Sequence, residues 1–168
     1  MKQDIKIAVI GVGHLGKHHV QHLSSIKNVT LAGVFDINRA RAEGISKTFK
    51  IDCFNSIQDL LKNVDAVSIV TPTKNHKDVA ELCIKAGKHV FIEKPITETV
   101  EEADALIGLS KEHNTIIQVG HIERLNPALL PLSEYELNPK FVEVQRLAPY
   151  MLRGSDVPVV LDLMIHDI

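Results

Sequence analysis

Near the end of the chain two groups have the spacing of an acid–base pair. In "VVLDLMIHDI" Asp162 and His166 stand four residues apart. On a helix they share a face, where the carboxylate can orient the imidazole and the imidazole can take a proton from a hydroxyl. Their apolar neighbours Leu161, Leu163, Met164 and Ile165 suit a solvated ion pair badly. A third group is Lys94 in "HVFIEKPIT", directly after a strand-like run, with Pro95 biasing it towards extended backbone. An ammonium in a cleft there can hydrogen-bond a substrate oxygen, although a lone lysine in a turn also has a plain reading as a surface residue.

Closer to the N-terminus, "GVGHLG" places Gly11, Gly13 and Gly16 in the spacing G-x-G-x-x-G, with Val12, His14 and Leu15 between them. The first glycine permits a tight turn, the second lets a pyrophosphate approach the backbone, and the third lets helix and strand pack closely. The free N–H groups of the helix that opens there attract an anion. Asp36 ends the next strand-like run, where a carboxylate can accept hydrogen bonds from an adenosine ribose and would repel a 2'-phosphate. NAD is therefore favoured over NADP, while Arg39 and Arg41 stand close enough in sequence to serve the phosphate instead. His14, His18 and His22 repeat at helical spacing beside His19, but no carboxylate or cysteine completes a zinc set. His14 is expected near the phosphates and the other three on the helix surface.

These groups need a scaffold, and the chain alternates between two kinds of segment. "IKIAVI", "VTLAGVF", "AVSIV", "HVFIE" and "TIIQVG" are short and apolar on both faces, as buried parallel strands are. Between them lie amphipathic stretches with cap signals, among them Ser56 with Asp59 three residues on, and Gly87 after "CIKA". Repeated βα units predict a Rossmann-like, doubly wound parallel sheet with helices on both faces, over residues 1–122. Such sheets hold ligands at the carboxyl ends of their strands, which marks Thr71, Pro72 and His76 in "VTPTKNH" and Glu93 and Lys94 in "EKP" as cofactor residues. Residues 123–168 break the rhythm: a proline-containing stretch leads to a strand-like "KFVEVQRLA" and then to the apolar run. They read as the first elements of a second, α+β domain, truncated before its last helix is capped. The unpartnered strand also predicts pairing between copies, hence a homo-oligomer.

Composition narrows the class. With 168 residues, 45% apolar and 24% charged, the chain can bury one proper core but not two full domains. A net charge of -2 gives no basic field for nucleic acid. Two cysteines are too few for a disulfide framework, and neither a leader nor a membrane-spanning stretch is visible, so a cytoplasmic location is expected.

Together, "GVGHLG", Asp36, "TPTKNH", "HVFIEKPIT" and "DLMIHD" resemble the glucose-fructose oxidoreductase, inositol dehydrogenase and MocA (Gfo/Idh/MocA) family of sugar and cyclitol oxidoreductases. The resemblance implies a nucleotide-binding domain followed by a larger, mostly antiparallel substrate domain. It matches Lys94 to a catalytic lysine and Asp162 and His166 to the acid and histidine that complete the site. It also adds His121 to the cofactor residues, and groups Lys94, Arg124, Asn126 and His166 around the substrate. "GHIERLNPA" with "RGSDVPVVLDLMIHDI" is more narrowly similar to members that oxidise the 3-hydroxyl of UDP-N-acetylglucosamine. A rival class, a cofactor-sensing regulatory protein without turnover, need not keep Lys94, Asp162 and His166 together.

Overall fold

The structure, a computed structural model, describes residues 4–136 and 138–145; Asp162, His166 and the whole closing apolar run lie outside them. The chain divides into two units, residues 1–120 and 121–168, so the break falls at Gly120 rather than after residue 122.

In the first unit, six parallel strands form one sheet: β1 (Ile5–Ile10), β2 (Val29–Phe35), β3 (Asp52–Cys53), β4 (Ala66–Ile69), β5 (His89–Ile92) and β6 (Ile117–Val119). Their order, β3-β2-β1-β4-β5-β6, reverses between β1 and β4. The apolar runs alternate sides as a two-residue period requires. β1 sends Ala8 and Ile10 into one core, shared with Leu60, Ile84 and Leu106, and Val9 into another, shared with Val20, Val34 and Ala42. Helices α1 (His14–Leu23) and α2 (Arg39–Phe49) cover the Val9 side; α3 (Ile57–Leu61), α4 (His76–Lys85) and α5 (Val100–Glu112) cover the other. This is the doubly wound sheet, helices on both faces, that the alternating pattern implies.

Caps fix the helix starts. Ser56 accepts from the Asp59 N–H at 3.1 Å and donates to the Asp59 carboxylate at 2.9 Å. The Asn38 and Thr99 side chains likewise accept from the N–H three residues on, at the starts of α2 and α5. Gly87, at φ +72°, turns the chain after α4. β3 is absent from the strands read in the sequence because two residues carry no periodicity. α1 starts inside the glycine motif, at His14.

In the second unit, taken by itself, Ile122–Leu125 and Pro127–Glu134 form 3-10 turns. Pro131 lacks the N–H a longer α-helix would use there. Of the expected strand from Lys140 to Ala148, residues 140–145 form no strand and pair with no other described segment, and residues 146–148 lie outside the described residues. No described helix is long and apolar enough to cross a membrane.

Candidate functional site

β1 ends in the glycine turn. Gly11 sits at φ +88°, and a Cβ there would stand 2.6 Å from the Val70 carbonyl oxygen, so both conformation and space demand glycine. A Cβ on Gly16 would run into the Gly11 carbonyl oxygen, because α1 lies directly on the turn. Gly13 is different. Its Cβ would meet nothing nearer than Arg41 Nη1 at 3.9 Å, and no side chain caps the helix it opens. The open side of Gly13 and the uncapped N–H groups fit a dinucleotide pyrophosphate. A cavity of about 590 Å³ continues between α1 and α2, where Lys17 and Arg41 supply positive charge beside Gly13, His14 and Thr48. His14 and Leu15 are exposed, whereas the Val12 side chain belongs to the core.

Asp36 closes the turn from β2. It is buried, taking the Val12 N–H on Oδ2 at 2.8 Å and the Asn38 N–H on Oδ1 at 2.8 Å. A carboxylate has about four acceptor positions, so it holds two loops together and retains capacity for a ribose hydroxyl. The two nearby arginines separate in space. Arg39 bonds Glu43 and the Phe54 carbonyl, while Arg41 Nη1 reaches Asp36 Oδ2 at 3.4 Å. Arg41 is thus the arginine beside the carboxylate, and it offsets part of the repulsion a 2'-phosphate would meet there.

Beyond the switch between β1 and β4, the loops after β4 and β5 come together. Thr71 Oγ1 is buried without a hydrogen-bond partner among the described residues. His76, read in the sequence as a cofactor contact beside Thr71 and Pro72, is 1% exposed. Its Nδ1 lies 2.9 Å from the Pro95 carbonyl oxygen and its Nε2 2.8 Å from that of Thr71. The ring is a strut that ties the Thr71 loop to the Lys94 loop. Lys94 is half-buried, its N–H donates to Glu93 Oε2 at 3.2 Å, and the Lys94–Pro95 peptide is cis.

His19 departs from the expected helix-surface position. Gly16, His19, Val20 and Leu23 share the sheet-facing side of α1, and the His19 ring lies between Ser68 of β4 and Glu93 at the end of β5. Its i, i+3, i+4, i+7 placement with buried residues was the signal in the sequence. Burial pushes the Glu93 carboxyl up, but the hydrogen bond and charge of His19, together with the Lys94 N–H and ammonium, outweigh it. The group rests below the usual carboxylate range.

Of the other residues read in the sequence, His121, Arg124 and Asn126 belong to the second unit. The Asn126 side chain accepts from the Ala128 N–H and donates to Glu123, a cap for its own turn. Among the described residues no three His, Cys, Asp or Glu side chains gather as metal ligands, and His14 and His18 meet only edge to face. Cys83 is no nucleophile, since burial pushes its thiol up to about 12.

Residues 5–121 match the Gfo/Idh/MocA family described as "Oxidoreductase family, NAD-binding Rossmann fold". The chain belongs to this family. It is 47% identical over 165 residues to a UDP-N-acetylglucosamine 3-dehydrogenase of Acidithiobacillus ferrooxidans, covering 98% of this chain and 52% of that protein. A solved structure with that name, from the same organism, superposes with a TM-score of 0.91 at 47% identity, again over 98% of this chain and 52% of the other. A scyllo-inositol 2-dehydrogenase (NAD(+)) of Bacillus subtilis is 36% identical over 134 residues, 76% of this chain and 39% of its own. The chain thus spans about half the length, or less, of these curated relatives.

Proposed function

We propose that the protein is the NAD-binding part of an oxidoreductase that oxidises a secondary hydroxyl of a sugar, the 3-hydroxyl of a UDP-N-acetylhexosamine. The observation that carries the reading is the meeting, at the carboxyl edge of one sheet, of an anion-accepting glycine turn, a ribose-competent Asp36 and the Lys94 loop. The substrate is inferred from likeness to the Acidithiobacillus enzyme, which extends over nearly the whole chain. When bound, NAD supplies the acceptor for the hydride leaving the carbinol carbon. The chain's own groups handle the proton: His166 takes it from the hydroxyl, Asp162 orients His166, and Lys94 hydrogen-bonds the same oxygen as it becomes a carbonyl. Gly11, Val12, Gly13, His14, Leu15 and Gly16 hold the pyrophosphate end, Asp36 the ribose, and Thr71, Pro72, Glu93 and His121 the remainder. Arg124 and Asn126 serve the substrate. The working protein is a homo-oligomer.

Calorimetry on this chain with NAD and with NADP tests the cofactor. Tighter NAD binding is expected, and Asp36→Ala should erase the preference. Equal or tighter NADP binding to the unaltered chain would mean that Arg41 outweighs Asp36. In a protein that also carries the remaining half of the relatives' length, UDP-N-acetylglucosamine should drive formation of NADH. Lys94→Ala should lower kcat by about 100-fold or more, the scale for a positioned proton-handling group.

A further inference from the structure

Ser68 sits mid-strand in β4, 1% exposed, between Val67 and Ile69 of the larger core. It points to the opposite side, towards α1. A hydroxyl buried there costs free energy unless it finds a partner. His19 Nδ1 lies 2.9 Å from it, and the other ring nitrogen lies 3.1 Å from Glu93 Oε1. One arrangement satisfies a neutral ring completely: the serine hydroxyl donates to Nδ1, and the Nε2–H donates to the carboxylate. Phe91 steadies the ring from the side, with ring centroids 5.7 Å apart and planes at 62°.

The far side of Glu93 is equally constrained. A Cβ on Gly120 would stand 2.8 Å from Glu93 Oε1, so the carboxylate occupies the space that a side chain at 120 would fill. Its other oxygen receives the Lys94 N–H. Carboxylate, imidazole and hydroxyl stand in the order of a nucleophilic triad. Ser68 cannot act as one, being enclosed within the sheet, and the chain of bonds therefore runs outward, from a fixed strand to the Glu93–Lys94 loop.

We propose that His19 is a positioning residue of the cofactor cleft. Anchored on Ser68, it holds the Glu93 carboxylate over Gly120 and thereby fixes the turn that presents Lys94. The role rests on the reading that this cleft binds NAD. The titratable groups facing Glu93 are His19 from α1 and Lys94 from its own loop, so the change in the carboxyl's titration when His19 alone is replaced reports the His19 contact.

The test compares the unaltered chain with His19→Phe, which keeps a ring against Phe91 but no hydrogen bonds, and with His19→Gln, which restores a donor. Carbon NMR follows the Glu93 carboxyl through its titration, and calorimetry follows NAD. In His19→Phe the Glu93 titration should move upward and NAD should bind about fivefold more weakly, the scale of one lost hydrogen bond. His19→Gln should recover part of both. A Phe variant that loses folding stability while its Glu93 titration and NAD affinity stay unchanged would make His19 a packing residue only and overturn the proposal. Should His19→Phe fail to fold, Ser68→Ala decides: it removes the anchor alone, and an unmoved Glu93 titration there sinks the idea. Absence of NAD binding by the unaltered chain would sink the cofactor reading, while the Glu93 titration would still decide whether His19 holds the carboxylate.

Discussion

Glu93 shows how one residue ties function to acid stability. Its carboxyl is held below the usual range in the fold, so it binds its proton less readily folded than unfolded. The stability this contributes is present in full above the ordinary carboxylate value and is lost as the pH falls through the lowered folded one. Urea midpoints measured down this range should drop, and Glu93→Gln, which cannot ionise, should flatten the drop. A variant as acid-sensitive as the unaltered chain would remove Glu93 from the account. At this scale the glycine turn, Asp36 and the Lys94 loop were legible in the sequence because each depends on local spacing. His19 was only partly so: its spacing with Gly16, Val20 and Leu23 marks the buried face, but four histidines on one short helix read as a polar surface. What distinguishes His19 is a serine 49 residues away on a central strand. Likewise, nothing local says that both ring nitrogens of His76 are spent on carbonyls.

Elements were legible where their periodicity is long enough to count. Short, largely apolar runs announced five of the strands, whereas the two-residue β3 and the 3-10 turns around Pro127 and Pro131 offered no period to read. Caps were readable for the same local reason, and Ser56→Ala should cost about 1 kcal/mol in denaturant unfolding, since it leaves the Asp59 N–H without its acceptor. His76 acts between elements rather than within one. Replacing it by Ala removes the donor that one of the two carbonyls receives and leaves a void beneath α4, which should cost about 2–4 kcal/mol. His22→Ala, on the exposed side of α1, serves as the control and should stay within about 0.5 kcal/mol of the unaltered chain. Equal losses from both substitutions would show that the strut carries no weight.

For the whole molecule, the decisive fact is where burial lies. Both hydrophobic cores, including their partly buried flanks, are built from residues between Ala8 and Ile117, all within the first unit. Among the described residues of the second unit the large apolar side chains are exposed, Leu125 and Phe141 to 81% each and Leu130 to 63%. A chain ending at residue 121 keeps every core contact among the described residues, so it should unfold cooperatively at nearly the same denaturant midpoint as the full chain and bind NAD with nearly the same affinity. The full chain carries the additional apolar surface, and surface of that kind drives association when nothing covers it. Sedimentation at rising concentration should therefore show the full chain self-associating while the shorter one stays monomeric. If both sediment as monomers, the apolar groups beyond Gly120 are covered within their own chain and the proposed homo-oligomer loses its physical basis; if both associate, the contact belongs to the nucleotide-binding unit itself.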